Sequence, residues 1–341
     1  MEIPALCSYI RRKDMDSVLN CMVSDNLAPG EYVDRFLKVV KERLGYDYSV
    51  ALRNPIVALN LAFEALGLAP GDSVGLSALS SAWAFKCLDA RGLKPIWLDA
   101  DIGSGCIDAS SVERLAGGGA KVLYLAEPWG ILPDPAMLLE IGLPVIEDVT
   151  TSLGAVSGES KAGSLGIFSL MGLEHAASFT AGGGALLSAS SKRDAQVLRN
   201  ASEHLVPEEL LADMNAALAF SQLKDLEKFL EKRKGLHELY SQSLARSRKR
   251  ALSQSAEGES AYFGYVVVLE SGVKDVRAYA RKKGVQTVMA FDGTCITAGF
   301  VPGDLCQHAA SLANRAVAFP LHPRIGASVA QKVAKVLATL P

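Results

Sequence analysis

Asp148 closes the run Pro144-Val-Ile-Glu147-Asp148, an apolar strand ending in acid. Ligands of open α/β sheets bind at the carboxyl ends of the strands. A carboxylate there can hold a protonated ring nitrogen of a cofactor and so favour an electron sink. The same acid could equally be a helix N-cap or a loop salt bridge. His175, in Leu173-Glu-His175-Ala-Ala-Ser178, could shuttle a proton near neutral pH or simply hold a structural hydrogen bond. Gly182-Gly-Gly184, just before Ala185-Leu-Leu187, permits close backbone approach or a plain turn into a strand. The six cysteines, Cys7, Cys21, Cys87, Cys106, Cys295 and Cys306, are scattered without a C-x-x-C pair. That spacing supports no disulfide framework, zinc site or iron–sulfur cluster, and no metal is expected.

These residues need a scaffold, and the patterning supplies one. Val33, Phe36, Leu37, Val40 and Leu44 mark an amphipathic helix over 32–45, ending at Gly45. Tyr48–Leu52 reads as a strand. Asn54 is an N-cap with Pro55 at N1, opening a helix to about Leu66. Strands are predicted at Ser73–Leu76, Lys94–Leu98, Lys121–Leu125 and Pro144–Ile146. Alternating β and α units imply a mostly parallel sheet with helices on its faces. Asn215 to about Ala245 reads as one long helix, 247–260 as a polar loop and Tyr262–Leu269 as a strand. A helix near 273–283, a strand near 285–289 and a last helix at 326–340 follow. A large domain over 1–230 and a small α+β domain over 231–341 are expected. The 341 residues carry 35 Lys+Arg against 37 Asp+Glu, a net charge of −2. That balance gives no electrostatic footprint for nucleic acid, and no apolar run suits a bilayer. A cytoplasmic protein is expected.

Taken in order, the motifs resemble the DegT-type (DegT/StrS) sugar aminotransferase family, of pyridoxal-phosphate-dependent fold type I. The resemblance rests on Ile3-Pro4, Asn26 to Gly30, Ala58 to Ala62, Gly67 to Asp72 and Gly92 to Asp99. It continues through Trp129-Gly130, Pro133-Asp134, Glu147-Asp148, Gly154-Ala155, Gln222-Leu223, Arg233, Tyr240, Gly284 to Thr287 and Phe319 to Pro323. It implies a homodimer that transfers an amino group from glutamate to a nucleotide-linked keto sugar. The cofactor would alternate between pyridoxal phosphate and pyridoxamine phosphate. Asp148 would hold the pyridine nitrogen. Asn54, Trp83, Thr151 and Ser169 fall at or near positions that contact the cofactor in the family.

The sequence also departs from that pattern. The family tethers its cofactor through a lysine just before the Gly-rich strand, and no lysine lies between Lys161 and Lys192. The family's Ser-Gly-Thr phosphate turn is replaced by Asn54-Pro55-Ile56, so a backbone donor and a hydroxyl are gone. Glu208 aligns near an asparagine that reaches the phosphate from the partner subunit, and Ala181 to Gly184 replaces Gly-Glu-Gly-Gly. The leading expectation is a non-catalytic descendant that binds a nucleotide-sugar-like ligand or regulates an active relative. One alternative is a pyridoxamine-phosphate-dependent sugar 3-dehydratase with His175 as base. Others are an aminotransferase with a relocated lysine, or an interaction module with a closed cleft.

Overall fold

In a computed structural model the chain is described over residues 2–25, 27–175, 177–247, 249–254 and 258–341. Asn26 of the N-terminal turn, Ala176 beside His175, and residues 248 and 255–257 of the polar loop lie outside the described residues. The strands are β1 (Tyr48–Leu52), β2 (Ser73–Ser77), β3 (Lys94–Leu98), β4 (Ala120–Ala126), β5 (Val145–Asp148), β6 (Val156–Ser157) and β7 (Ser160–Lys161). They continue as β8 (Phe168–Gly172), β9 (Ala185–Ala189), β10 (Arg250–Ala251), β11 (Gly258–Glu259), β12 (Tyr265–Val268), β13 (Val288–Met289) and β14 (Ala316–Phe319).

The main sheet has seven strands in the order β1-β9-β8-β5-β4-β2-β3. From β8 to β3 every pairing is parallel, whereas β9 runs antiparallel to both β8 and β1. This is the mostly parallel α/β sheet expected. β10-β12-β14-β13 form a second, antiparallel sheet. Among the described residues no helix is long and apolar enough to cross a membrane.

Register decides which side chains meet. β5 pairs with β4 so that Ala126 faces Asp148 and Tyr124 faces Ile146. It pairs with β8 so that Glu147 faces Ser169 and Asp148 faces Leu170. Side chains alternate across a strand, so Asp148, Tyr124 and Leu170 share one face. Glu147 and Ser169 share the other. The Pro55–Ala65 helix starts where the sequence places it: Asn54 Oδ1 accepts from Val57 N at 3.0 Å, with Pro55 at N1.

Two findings depart from the periodicity. The stretch 215–245 is two helices, Asp213–Leu223 and Leu226–Leu244. The break lies at Asp225, whose φ of −114° and ψ of 17° leave the helical region. Its buried carboxylate pairs with Arg11, Lys13 and Lys228, so a distant segment fixes the kink. Arg11 introduces the second departure, a helix over Arg12–Val23 that the apolar spacing does not mark.

Asp213, 1 % exposed, does similar work across the chain. Its carboxylate accepts from the backbone N–H groups of Gly30, Tyr32 and Val33 at 2.9–3.0 Å. These are the donors at the start of the Glu31–Leu44 helix, which has no side-chain cap of its own. The negative charge also sits favourably at that helix N-terminus. Asp213→Ala is expected to lower unfolding stability by about 3 kcal/mol, because it strands buried donors. Asp213→Asn, which keeps one acceptor, should lose less. Urea unfolding of both variants checks the order.

Candidate functional site

At the carboxyl end of β4 and β5 lies a cleft of about 500 Å³. Asp148, Thr150, Thr151, Trp83, Pro55, Gly172 and Glu174 line one part of it, and Phe291, Asp292 and Thr294 another. Asp148 is held on both oxygens. Tyr124 donates its hydroxyl to Oδ2 at 2.6 Å, and Thr150 gives Oδ1 its backbone N–H, at 3.1 Å, and its hydroxyl. Burial pushes the Asp148 carboxyl above its usual range, and the bonds from Thr150 and Tyr124 pull it back only in part. Burial and the neighbouring carboxylate push the Tyr124 phenol well up, so it stays a donor.

The other predicted residues divide. Trp83 lines the cleft and packs edge-on to Tyr124, with centroids 6.2 Å apart. Thr151 lines it too, but its hydroxyl is committed to the Glu127 carbonyl at 2.9 Å. Asn54 spends its side-chain oxygen on the helix cap. Ser169 lies on the opposite face of the sheet, within 3.0 Å of the Tyr46 hydroxyl. His175 is exposed, with Nδ1 2.7 Å from Ser8 Oγ, and it lines a separate small cavity. Its neighbour Glu174 is the one that reaches the Asp148 cleft.

Sequence reading missed Tyr124, Thr150, Glu174 and Asp292. Thr150 carried a usable signal, since a hydroxyl two residues after an aspartate is a turn pattern. Tyr124 carried none until β4 and β5 were known to be neighbours.

The match to known proteins spans almost the whole chain. Residues 8–338 match the DegT/DnrJ/EryC1/StrS aminotransferase family. The chain belongs to that family. A GDP-perosamine synthase of Caulobacter vibrioides is 26% identical over 286 residues, covering 77% of this chain and 76% of that protein. An aminotransferase from Streptoalloteichus hindustanus superposes with a TM-score of 0.88 at 21% identity, covering 98% of both chains. An Escherichia coli GDP-4-keto-6-deoxy-D-mannose-3-dehydratase with bound hydrated PLP gives 0.87 at 18% identity, over 99% of each. At such identities the structural likeness shows the fold.

The DegT-type cofactor, pyridoxal phosphate, can be tested against the residues present. Asp148 suits its ring nitrogen. The rest does not fit. Among the described residues lining the cleft there is no lysine, arginine or histidine, while Glu127, Asp148, Glu174 and Asp292 are all acids. The helix N-terminus beside it is nearly spent as an anion site. Pro55 has no N–H, Val57 N–H goes to Asn54 Oδ1, and Ala58 N–H goes to Asn54 O at 3.2 Å. Of the first helical residues, Ile56 alone keeps a backbone N–H without a hydrogen bond among the described residues, and the N-cap Asn54 keeps its own N–H and Nδ2. A dianionic phosphate would meet carboxylates and no cation among the described lining residues.

A second carboxyl group of the cleft wall is more deeply buried. Glu127, 2 % exposed, accepts from the Ser152 hydroxyl and lies within hydrogen-bond reach of the Glu147 carboxyl. Burial, then the neighbouring Glu147, pushes its carboxyl well above the usual 4.5. A carboxyl raised on folding stabilises the fold in its protonated form, below the unfolded value. That stability is lost as pH rises through the folded value. Glu127→Gln, a neutral isostere that can donate toward Glu147, is therefore expected to unfold at higher urea than wild type at pH 8. The gain should shrink toward zero near pH 4.5, by up to about 1.4 kcal/mol per pH unit over the window. A gain that does not change with pH would refute this account.

Proposed function

We propose that this protein keeps the sugar-aminotransferase fold and its cleft but does not carry out amino transfer. It serves instead as a ligand-binding or regulatory member of the family, acting on a nucleotide-sugar-like molecule or on an active relative. The observation that carries this reading is the charge of the Asp148 cleft, whose charged lining residues are all acids, with no lysine, arginine or histidine among the described residues. Amino transfer on a tethered cofactor needs an amine nucleophile, and the sequence offers no lysine from 162 to 191. A bound phosphate needs donors or cations. At this end of the sheet the described lining residues offer neither an amine nor a cation.

The homodimer belongs to the same reading. Met15, Leu19, Met22 and Val23 leave an apolar stripe exposed along the Arg12–Val23 helix, a surface that suits a partner subunit. The dehydratase alternative finds less support, because its proposed base, His175, opens onto the neighbouring cavity rather than the Asp148 cleft.

Ultraviolet–visible titration of the full chain with pyridoxal phosphate tests the proposal. Absorbance should rise in simple proportion to added cofactor, as for free pyridoxal phosphate. A tight, saturable band would overturn the reading, as would a pyridoxyl-lysine recovered by peptide mapping after borohydride reduction.

A further inference from the structure

Arg233 lies on the inner side of the Leu226–Leu244 helix and is 5 % exposed. Its guanidinium stacks on the Phe263 ring, 5.0 Å from the centroid. It takes part in no ion pair among the described residues, and its Nε and Nη1 are buried without a hydrogen-bond partner. Burial alone lowers its pKa, to about 10, so the group remains charged at neutral pH. A guanidinium presents five N–H donors in one plane. The Phe263 ring answers the charge from its face, yet leaves the in-plane donors unanswered. Such a buried cation is costly unless something anionic meets it.

The space beside it has the right character. Arg233 lines a cavity of about 30 Å³ together with His322, Ser178, Thr180 and Gln222, and no aspartate or glutamate lines it. The polar neighbours are already committed. Ser178 donates to the Thr150 carbonyl, Thr180 to the Leu173 carbonyl, and Gln222 to Tyr9 O and Asp14. His322, also 5 % exposed, has Nε2 3.2 Å from the Pro4 carbonyl and leaves Nδ1 without a partner. Beyond its own burial, Arg233, Arg324 and Lys232 hold His322 below its usual range, which marks the surroundings as electropositive. Exposed His175 stands among the lining residues and gives the cavity a way to solvent.

From this geometry we infer a binding site for one small monovalent anion beside the Arg233 guanidinium. Water could satisfy the hydrogen bonds but not the charge, whereas an anion does both. The room suffices for a halide or for the carboxylate end of a small organic acid, and not for a phosphate ester. The site is separate from the Asp148 cleft and does not depend on whether that cleft binds a cofactor.

Melting of the full chain tests it. The protein is exchanged into sodium gluconate, and chloride or acetate then replaces gluconate at constant ionic strength. A ligand that binds only the folded state raises stability with the logarithm of its concentration above Kd. The melting temperature should therefore climb by an equal step for each tenfold increase in the anion. A rise with chloride alone identifies a halide site, and a rise with acetate identifies a carboxylate site. In Arg233→Met the climb should vanish. Flat curves in both arms, or the same climb in the variant, would overturn the inference. Should Arg233→Met fail to fold, wild-type crystals grown in bromide and in acetate decide the matter. An anomalous bromide peak or acetate density in contact with the guanidinium supports the site, and ordered water alone in both refutes it.

Discussion

The carboxyl edge of the central sheet buries two acids, Glu127 and Glu147, and half-buries a third, Asp148, and none of them is in an ion pair among the described residues. Desolvation drives all three carboxyls upward. What makes this tolerable is a set of fixed donors. Glu147 accepts from the backbone N–H groups of Gly163 and Gly166 at 2.8 and 2.5 Å. Those bonds tie the connection between β5 and β8 down onto the sheet. Gly166 must be glycine for the approach, since a Cβ there would collide with the Val145 carbonyl. Seating β8 beside β5 in turn carries Gly172 and Glu174 to the cleft.

Much of this was legible in the chain itself. The acid at the end of an apolar strand, the Asn54-Pro55 cap and the βα alternation are local signals, and each lies where its pattern puts it. What was not legible depends on which strands are neighbours. β8 is a short run buried at every position, without alternation, so periodicity cannot mark it. Ser169 looks like a cofactor contact by alignment, yet strand parity turns it toward Glu147. The kink at Asp225 needs Arg11, which lies far away in sequence. Charged partners at long range are invisible to any window of residues.

The family likeness and the site also answer different questions. A fold constrains where a ligand can lie, while the chemistry belongs to the groups placed there. Here the chain matches the DegT-type family over residues 8–338 and shares the fold of its structural neighbours. Among the described residues lining the Asp148 cleft, the charged side chains are all acids. Pro55 illustrates how close the two can lie, because one residue both improves the helix start and removes a phosphate donor.

The two cavities differ most in what they leave unsatisfied. Asp148 has both oxygens engaged by Tyr124 and Thr150. The bonds from Tyr124 and Thr150 therefore offset part of the desolvation of that acid inside the protein. Arg233 is the opposite case, a buried charge with open donors and no anion of the chain's own among the described residues. Unmet polar groups are where a folded protein gains most from binding something. By that criterion, the strongest demand for a ligand lies at the Leu226–Leu244 helix, one cavity away from the place where the family does its chemistry.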